Sequence, residues 1–312
     1  MQLFNLLSEY TDVIERFSID ECFLDLTNSL NKNDKLIDKA IEIKERVKNE
    51  LGFTVNVGVS NNKLLAKMAS DFQKPDKVHT LFENEIQEKM WNLPISDLFM
   101  VGRKMLPKLQ RMGIYKIGDL AIQEPNKLLA IYGKYGKMIW EYANGISNDP
   151  VSNKKEKPKG IGNSITLPYD ISDILKLEEV LLSLTEQVTY RLRTHELLAS
   201  IVNVHIKDSK FKVFSHQRKI DVATDSTKTI YKEAKKLLEE LHQDANIRLI
   251  GIRVDGLVSK KEKQISIFDL ENNHKQEKLD GTLDKIKQKY GYNTITRAGS
   301  LKIKNQIKFK DE

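Results

Sequence analysis

Hydrophobic and polar positions alternate between strand-like and helix-like periods over residues 1–90. Residues 17–26 are rich in β-forming side chains, residues 34–51 have the period of an amphipathic helix, and residues 53–60 carry branched side chains at alternate positions. This succession predicts a mixed unit in which helices cover a small sheet.

A further helix is predicted directly after that strand. Ser60 or Asn61 is expected to cap its start, and Pro75 to end it, because proline cannot continue the helical hydrogen-bond ladder. One stripe of this helix is apolar and is predicted to be buried; it consists of Leu64, Leu65, Met68 and Phe72.

The pattern then changes twice along the chain. Residues 91–146 form short helical stretches punctuated by glycines, which predicts a small all-α module, and residues 147–163 are polar and turn-rich, which predicts a linker. Residues 164–257 follow the order β-α-β-β-α-β, typical of a ferredoxin-like layout with one sheet covered by two helices. Residues 258–312 are predicted to be a polar tail with a short helix near residues 283–290.

Composition excludes several classes of protein. Of the 312 residues, 40% are hydrophobic and 30% charged, as in ordinary globular proteins, and no stretch approaches the roughly 20 apolar residues of a membrane span. A single cysteine, Cys22, rules out an internal disulfide and favours the reducing cytoplasm. The net charge of +7 weakly favours a polyanionic partner, and no membrane association is predicted.

The segment around Asp20 and Glu21 carries the strongest chemical signal. Large apolar residues occupy odd positions before Asp20. After Glu21 they continue as Phe23 and Leu24, and the clearest alternation moves to even positions, which indicates a tight turn between two strands. Such a turn would bring both carboxylates to one site, where hard oxygen ligands suit Mg²⁺. The local pattern is equally compatible with the exposed tip of a hairpin, and Asp25 is predicted to be a solvent-facing strand residue.

Two motifs in order resemble a known family. Residues 18–25, S-I-D-E-C-F-L-D, resemble the second catalytic motif of Y-family (DinB/UmuC-like) translesion DNA polymerases. Residues 58–71 resemble the palm segment of that family, and residues 73–76 follow where the family has its K-P element. The resemblance extends over residues 1–258 and is closest to the UV-damage-repair branch of Gram-positive bacteria.

The resemblance implies an α+β multidomain fold. Residues 1–90 would be the C-terminal portion of an α/β palm, residues 91–146 a small all-α thumb with a helix-hairpin-helix, and residues 147–163 a linker. The ferredoxin-like unit at 164–257 would be the DNA-binding little finger, and residues 258–312 a tail with a clamp-binding motif.

The resemblance also implies roles for particular residues. Asp20 and Glu21 would be the catalytic, metal-binding carboxylates for two Mg²⁺ ions, and Lys74 would contact the incoming deoxynucleoside triphosphate. Lys63 and Lys67, on the polar stripe of the helix after Ser60, are predicted to lie on a solvated helix face.

Two modules are predicted to hold primer–template DNA. In the helix-hairpin-helix, Arg103 and Lys104 would add charge beside backbone N–H groups, although Met100 stands where such hairpins have their first glycine, and a purely structural helical thumb is the alternative. In the little finger the candidate phosphate contacts, which should make binding salt-dependent, are Arg191, Arg193, Lys207, Lys212, Arg218 and Lys219.

A short motif in the tail points to another partner. Residues 264–268, Q-I-S-I-F, resemble the peptide by which bacterial proteins bind the sliding clamp. Gln264, Ile267 and Phe268 would be its anchors.

The family's first catalytic motif, of the type D-x-D-x-F-[FY]-A, would lie well before the S-I-D-E motif, but only 19 residues precede Asp20. The resemblance therefore implies an N-terminally truncated, error-prone translesion DNA polymerase of the damage response, with little or no activity as this chain. The alternative is a non-catalytic DNA- and clamp-binding remnant.

Overall fold

A computed structural model describes residues 2–29, 35–154, 157–242, 245–260, 270–291 and 294–295, and of residues 270–277 the backbone alone. The chain divides into two compact units, Met1–Lys155 (unit 1) and Glu156–Glu312 (unit 2).

Unit 1 begins with two small sheets. One is the antiparallel hairpin of β1 and β2, and the other is the parallel pair of β3 and β4. The elements of this region are α1 (Gln2–Ser8), β1 (Ile14–Arg16), β2 (Cys22–Leu24), α2 (Leu36–Arg46, continued by a wider turn over Val47–Leu51), β3 (Val57–Val59) and β4 (Val78–Thr80).

Helix α3 (Lys63–Ser70) connects the two parallel strands β3 and β4. Its cap is Asn62, whose side chain accepts the Leu65 N–H at 2.9 Å, and not Ser60 or Asn61 as predicted. Gly58 of β3 is required here, because a Cβ atom would collide with the Ala66 carbonyl oxygen. This close approach holds the helix directly against the strand.

The second half of unit 1 is helical, as predicted. It contains α4 (Leu106–Gln110), α5 (Ile117–Ala121), α6 (Pro125–Tyr132) and α7 (Lys134–Ala143). These helices share one hydrophobic core with α3, so that the apolar stripe of α3 is buried as predicted; its central members are Leu65, Met68, Leu109, Leu120 and Ile139.

Unit 2 has the predicted β-α-β-β-α-β order, in β5 (Gly160–Ile171), α8 (Ile174–Thr194), β6 (Leu197–Asp208), β7 (Val213–Thr224), α9 (Thr227–His242) and β8 (Ile247–Asp255). The sheet order is β5-β8-β6-β7, so that each β-α-β connection spans one intervening strand. The second and fourth strands are central, whereas the ferredoxin arrangement places the first and third strands there. The prediction was therefore right in element order and wrong in this detail.

The described parts of the polar segment after β8 contain more secondary structure than predicted. Strand β9 (Val258–Ser259) pairs with β6, and α10 spans Leu270–Tyr290, well beyond the short helix expected near residues 283–290. Within the described residues, no helix has the length and apolar character needed to cross a membrane.

Candidate active site

The acidic pair Asp20–Glu21 lies in the turn between β1 and β2. The N–H groups of Phe17 and Ser18 both donate to the Glu21 carbonyl oxygen, at 3.0 and 3.1 Å, and close the turn. The turn is where the change of phase in the hydrophobic pattern predicted it, and it leaves both carboxylates at the same end of the hairpin.

Ser18 links the two carboxylates. Its hydroxyl oxygen lies 2.7 Å from Asp20 Oδ1 and 3.4 Å from Glu21 Oε2. The hydrogen bond from Ser18, helped by the backbone N–H of Asp20 itself, holds the pKa of the Asp20 carboxyl below its usual value. Asp20 is therefore an exposed, ionised carboxylate at neutral pH.

Lys67 of α3 is the immediate partner of Glu21. Its Nζ lies 2.5 Å from Glu21 Oε1 and 2.9 Å from Asp71 Oδ2, and its side chain is only 14% exposed. Burial alone would lower the pKa of Lys67, but the hydrogen bonds to Glu21 and Asp71 outweigh burial and raise it. The prediction of a solvated helix face was therefore wrong for Lys67.

The same correction applies to Lys63, one helical turn earlier. Its Nζ lies 2.9 Å from both carboxylate oxygens of Glu15 and 2.6 Å from Asp149 Oδ2. Glu15 also accepts the Ser152 N–H at 2.8 Å. Lys63 and Glu15 thus bind the start of the predicted linker to α3 and β1.

Lys74, the predicted triphosphate ligand, lies beyond the end of α3. Its side chain is 57% exposed, and its Nζ lies 2.8 Å from Asp71 Oδ1. Burial by itself would raise the pKa of Asp71, but hydrogen bonds from Lys74 and Lys67 outweigh burial and lower it. Asp71 thus bridges two lysines, and the sequence signal for it is its spacing, four residues after Lys67 and three before Lys74.

These side chains line a cleft of about 1100 Å³ within unit 1. At one end it is ionic, with Asp20, Glu21, Lys67, Asp71 and Lys74. The remaining wall is largely apolar and includes Leu7, Leu24, Val47, Phe53 and Val57. The cleft therefore has one charged end, and the rest of its wall is largely apolar.

The oxygen atoms grouped around Ser18 suit Mg²⁺, because they belong to the carboxylates of Asp20 and Glu21 and to one hydroxyl. Ser18 brings Asp20 and Glu21 close enough to share a hydrogen-bond partner, and Asp20 is free of any lysine within ion-pair distance among the described residues. Within the described part of the chain, no group of three or more His, Cys, Asp or Glu side chains could hold a metal ion. The two carboxylates fit an ion that takes its other ligands from substrate and water.

The predicted helix-hairpin-helix contains Met100 in a left-handed conformation, with φ of 74°. This is the position where the sequence pattern calls for glycine, and the structure retains the glycine-like backbone with a methionine side chain. Arg103 and Lys104 follow in an exposed turn before α4. Neither has an ion-pair partner among the described residues.

In unit 2 the predicted DNA contacts do not form one surface. Arg193 is bound by Asp284, with Nε–Oδ2 at 2.5 Å and Nη2–Oδ1 at 2.9 Å, and by Asp280, which is 2% exposed. Arg193 therefore attaches α10 to α8, and its assignment to DNA was wrong.

Arg191 and Arg218 are also engaged elsewhere. Arg218 lies opposite the buried Val202 and pairs with Glu240 of α9 at 2.5 Å, and Arg191 donates to the Gly162 carbonyl oxygen at 3.3 Å. This pair places Arg218 on the helix-covered side of the sheet, and its contact with DNA stays a prediction.

Lys207 and Lys219 lie on the open face of the sheet. Along β6 the side chains of Val202, Val204 and Ile206 are buried under the helices, so the alternate positions up to Lys207 point away from them. Lys219 pairs with Ile201 and so shares that face. Lys212, in the β6–β7 hairpin, is exposed.

Gln264, Ile267 and Phe268 lie outside the described residues, and the clamp-binding motif stays a prediction.

Comparisons with known proteins cover nearly the whole chain. Residues 1–71 match the impB/mucB/samB family, residues 158–267 match the C-terminal domain of that family, and residues 83–114 match the helix-hairpin-helix (HHH) motif of the IMS family. The chain is 46% identical over 296 residues to a DNA polymerase IV of Clostridium acetobutylicum, an alignment that covers 95% of this chain and 74% of the relative. A solved structure of a Y-family DNA polymerase chimera, Dbh-Dpo4(243-245)-Dbh, superposes with a TM-score of 0.69 at 29% identity, over 83% of this chain and 75% of that one.

The chain belongs to the Y family of DNA polymerases.

The predicted family is thus confirmed, and by family the protein is a DNA-directed DNA polymerase of the translesion type. The relative is a DNA polymerase IV, which supports the DinB-like part of the Y family, and the narrower placement in the UV-damage-repair branch stays a prediction. A second solved structure, an insertion ternary complex of Dbh DNA polymerase, has a TM-score of 0.52 at 28% identity, over 83% of this chain and 75% of that one. The mixed α/β fold with a helix-hairpin-helix motif is confirmed as well.

Proposed function

We propose that the cleft of unit 1 is the nucleotidyl-transfer site, with Asp20 and Glu21 as the metal-bearing carboxylates and Lys74 as the triphosphate ligand. One observation carries the proposal: a continuous chain of hydrogen bonds and ion pairs joins these side chains along one end of the cleft. It runs Asp20–Ser18–Glu21–Lys67–Asp71–Lys74.

Mg²⁺, of which two ions are expected, would supply charge neutralisation on the phosphates and activation of the primer 3′-hydroxyl when bound. Asp20 is exposed and ionised, ready to accept a cation. Glu21 is held in position by Lys67, which also lowers the electrostatic cost of placing two carboxylates together. Lys74 extends its ammonium group from the end of α3 into the mouth of the cleft, where an anionic substrate would meet it.

DNA and deoxynucleoside triphosphates are the proposed substrates, in keeping with the ternary complex of Dbh DNA polymerase among the similar structures. In unit 1 we assign phosphate contacts to Arg103 and Lys104, which are exposed beside the Met100 turn. In unit 2 we retain Lys207, Lys212 and Lys219, because they are exposed or lie on the open face of the sheet.

For the polypeptide of residues 1–312 taken by itself, we propose weak or no primer extension. Of the carboxylates at the charged end of the cleft, Glu21 and Asp71 are already paired with lysines, which leaves Asp20 as the one without a lysine partner among the described residues. A chain that binds primer termini without extending them would correspond to the alternative function, a DNA-binding remnant.

A primer-extension assay with all four triphosphates and Mg²⁺, run beside a binding assay on the same primer–template, tests both statements. We expect binding by wild type and by Asp20→Asn, with extension by wild type far below the level of the Clostridium relative. Robust extension that Asp20→Asn abolishes would refute weak activity and support the site assignment. Robust extension that survives both Asp20→Asn and Glu21→Gln would refute the site assignment itself.

Two further assignments rest on the sequence. We propose that Gln264, Ile267 and Phe268 bind the bacterial sliding clamp, and that the protein acts in the damage response in the cytoplasm. Replacing Ile267 and Phe268 by alanine should abolish co-purification of the clamp, and unchanged co-purification would remove the assignment.

A further inference from the structure

The tip of the β6–β7 hairpin exposes an aromatic ring in a conformation that is unfavourable for it. Phe211 has φ of 64°, in the left-handed region that bulky residues avoid, and it is 66% exposed. Glycine or asparagine would satisfy this turn without strain. A strained, solvent-exposed aromatic side chain points to a function that lies outside the folding of the hairpin.

The backbone of the tip is firmly held. The Asp208 carboxylate oxygen Oδ1 accepts the N–H groups of Lys210 and Lys212, at 2.9 and 2.8 Å. The Phe211 N–H donates to the Asp208 carbonyl oxygen at 3.0 Å, and the Ser209 N–H donates to the Asn246 carbonyl oxygen at 2.9 Å. The ring is therefore presented from a preorganised turn.

The guanidinium group of Arg248 packs against the ring of Phe211. Arg248 Cζ lies 4.6 Å from the centroid of the Phe211 ring. Arg248 is itself fixed by Asp170, through Nε–Oδ1 and Nη2–Oδ2 hydrogen bonds of 2.9 Å each. One face of the ring thus packs on a cation that cannot move freely, and the ring remains largely open to solvent.

Positively charged residues precede and follow Phe211 in the sequence. Lys210 and Lys212 are exposed, and in the described part of unit 2 neither has an acidic side chain within ion-pair distance. Val213 follows in register opposite Lys207, so the tip is continuous with the open face of the sheet. An aromatic ring between free lysines complements a ligand that has both a flat π surface and phosphates.

We propose that this tip, formed by Lys210, Phe211 and Lys212 with Arg248 behind them, stacks an unpaired base of single-stranded DNA. Duplex DNA does not fit this role, because its bases are already stacked on each other, whereas an unpaired base offers its face. The lysines would contact the phosphates on either side of that base. This role goes beyond the sequence-indifferent phosphate contacts proposed for Lys207, Lys212 and Lys219.

The test compares two probes on the full chain: a blunt duplex, and the same duplex with a 5′ single-stranded extension that contains 2-aminopurine. Phe211→Gly should weaken binding of the extended probe about fivefold or more, the effect of losing one base stack, and leave the blunt duplex unchanged. Phe211→Trp should keep the affinity. Wild type should quench the 2-aminopurine fluorescence on binding, and Phe211→Gly should not.

An effect of Phe211→Gly on DNA binding can be distinguished from an effect on folding. Glycine is favourable at φ of 64°, so the Tm of Phe211→Gly should be no lower than that of wild type. Tyr290 is the matched control, since it is also exposed and has Lys289 Nζ 5.1 Å from its ring centroid. Tyr290→Ala should bind both probes as wild type does.

Two results would overturn the proposal. They are equal weakening of binding on both probes, and unchanged binding of the extended probe by Phe211→Gly. Binding of the blunt duplex measures the proposed phosphate contacts independently of base stacking. If those contacts are refuted, the difference between the extended and blunt probes still tests the stacking proposal.

Discussion

The lysines of the cleft in unit 1 and those of the open sheet face in unit 2 have opposite surroundings. In the cleft Lys63, Lys67 and Lys74 are each bound to a carboxylate at 2.9 Å or less. On the open face Lys207 and Lys219 have no acidic partner within ion-pair distance in the described part of unit 2.

This difference separates two uses of the same side chain. Paired lysines are held in one geometry and set the local charge around Asp20 and Glu21, which suits a site that must place a few atoms accurately. Unpaired lysines keep their charge available to any phosphate within reach, which suits a surface that must slide along DNA without reading its sequence. Net charge alone does not distinguish the two.

The largest expected effect concerns Arg193 of unit 2, a mostly buried basic residue that, unlike Lys207 and Lys219, has acidic partners. Arg193→Ala removes the arginine that both Asp280 and Asp284 contact, and breaking a buried ion pair in this way costs about 3–5 kcal/mol. Both tryptophans, Trp91 and Trp140, belong to unit 1. Urea unfolding followed by far-UV circular dichroism should therefore shift to lower urea, and tryptophan fluorescence reports the unfolding of unit 1 for comparison.

Arg218 provides the matched control for this prediction. Its pair with Glu240 is exposed, and such pairs contribute about 0–1 kcal/mol. A loss for Arg218→Ala as large as that for Arg193→Ala would show that burial does not decide the role of these arginines.

The next effect concerns the unpaired lysines. Replacing Lys207 and Lys219 by glutamine should lower the slope of log Kobs for duplex DNA against log salt by about 0.9 for each phosphate that the variant no longer neutralises. The slope is measured by titration at several salt concentrations. Arg218→Gln should leave it unchanged, because Glu240 already neutralises Arg218, and a slope reduced equally by all three changes would erase the distinction between the two faces.

The pH dependence of stability tests the ion pairs that Asp71 forms with the lysines of the cleft. Its pKa is lowered in the folded state by Lys74 and Lys67, so its contribution to stability is fully present above the ordinary value of 3.8 and is lost as pH falls below it. Because Asp71 is partly exposed, that contribution is about 1 kcal/mol or less. Asp71→Asn should flatten the acid limb of the stability curve, measured by tryptophan fluorescence.

Asp76 is the control, since it also joins two lysines, Lys44 and Lys48, each at 2.8 Å, outside the residues that line the cleft. Asp71→Asn should also strengthen the binding of metal-free tripolyphosphate about threefold, because the anion no longer competes with Asp71 for Lys67 and Lys74. A change of this size corresponds to the free energy of one surface ion pair. Asp76→Asn should change stability in the same way and leave tripolyphosphate binding unchanged. Equal binding by both variants would show that the cleft lysines are not specially arranged.

The smallest effect is at Met100. Glycine at φ of 74° removes the strain of a side chain in the left-handed region and adds backbone entropy to the unfolded chain, for a net gain of about 0.5 kcal/mol. Thermal unfolding of Met100→Gly measures it. The converse change, Gly113→Ala at φ of 79° with nothing near the added Cβ, should destabilise by about 1 kcal/mol, and stabilisation there would contradict the conformational explanation.

Local sequence patterns predicted most of the fold, because the elements depend on periodicity. The apolar stripe of α3, the turn at Asp20–Glu21 and the order of elements in unit 2 follow from spacings of a few residues. Three features were not predicted: the cap of α3, the central strands of unit 2 and the extent of α10. Several residues or strands could fill each of these roles as far as local sequence shows, and contacts in the folded chain decide among them.

The sequence by itself determined the family, through motifs read over residues 18–25 and 58–76, and it identified the carboxylate pair and Lys74. Only the tertiary structure decided what each basic side chain does. The spacing of Asp71 from Lys67 is local, but Glu21 reaches Lys67, and Asp280 and Asp284 reach Arg193, from distant segments of the sequence. The role of a charge depends on its distance to other charges and on its burial, and both are properties of the folded chain.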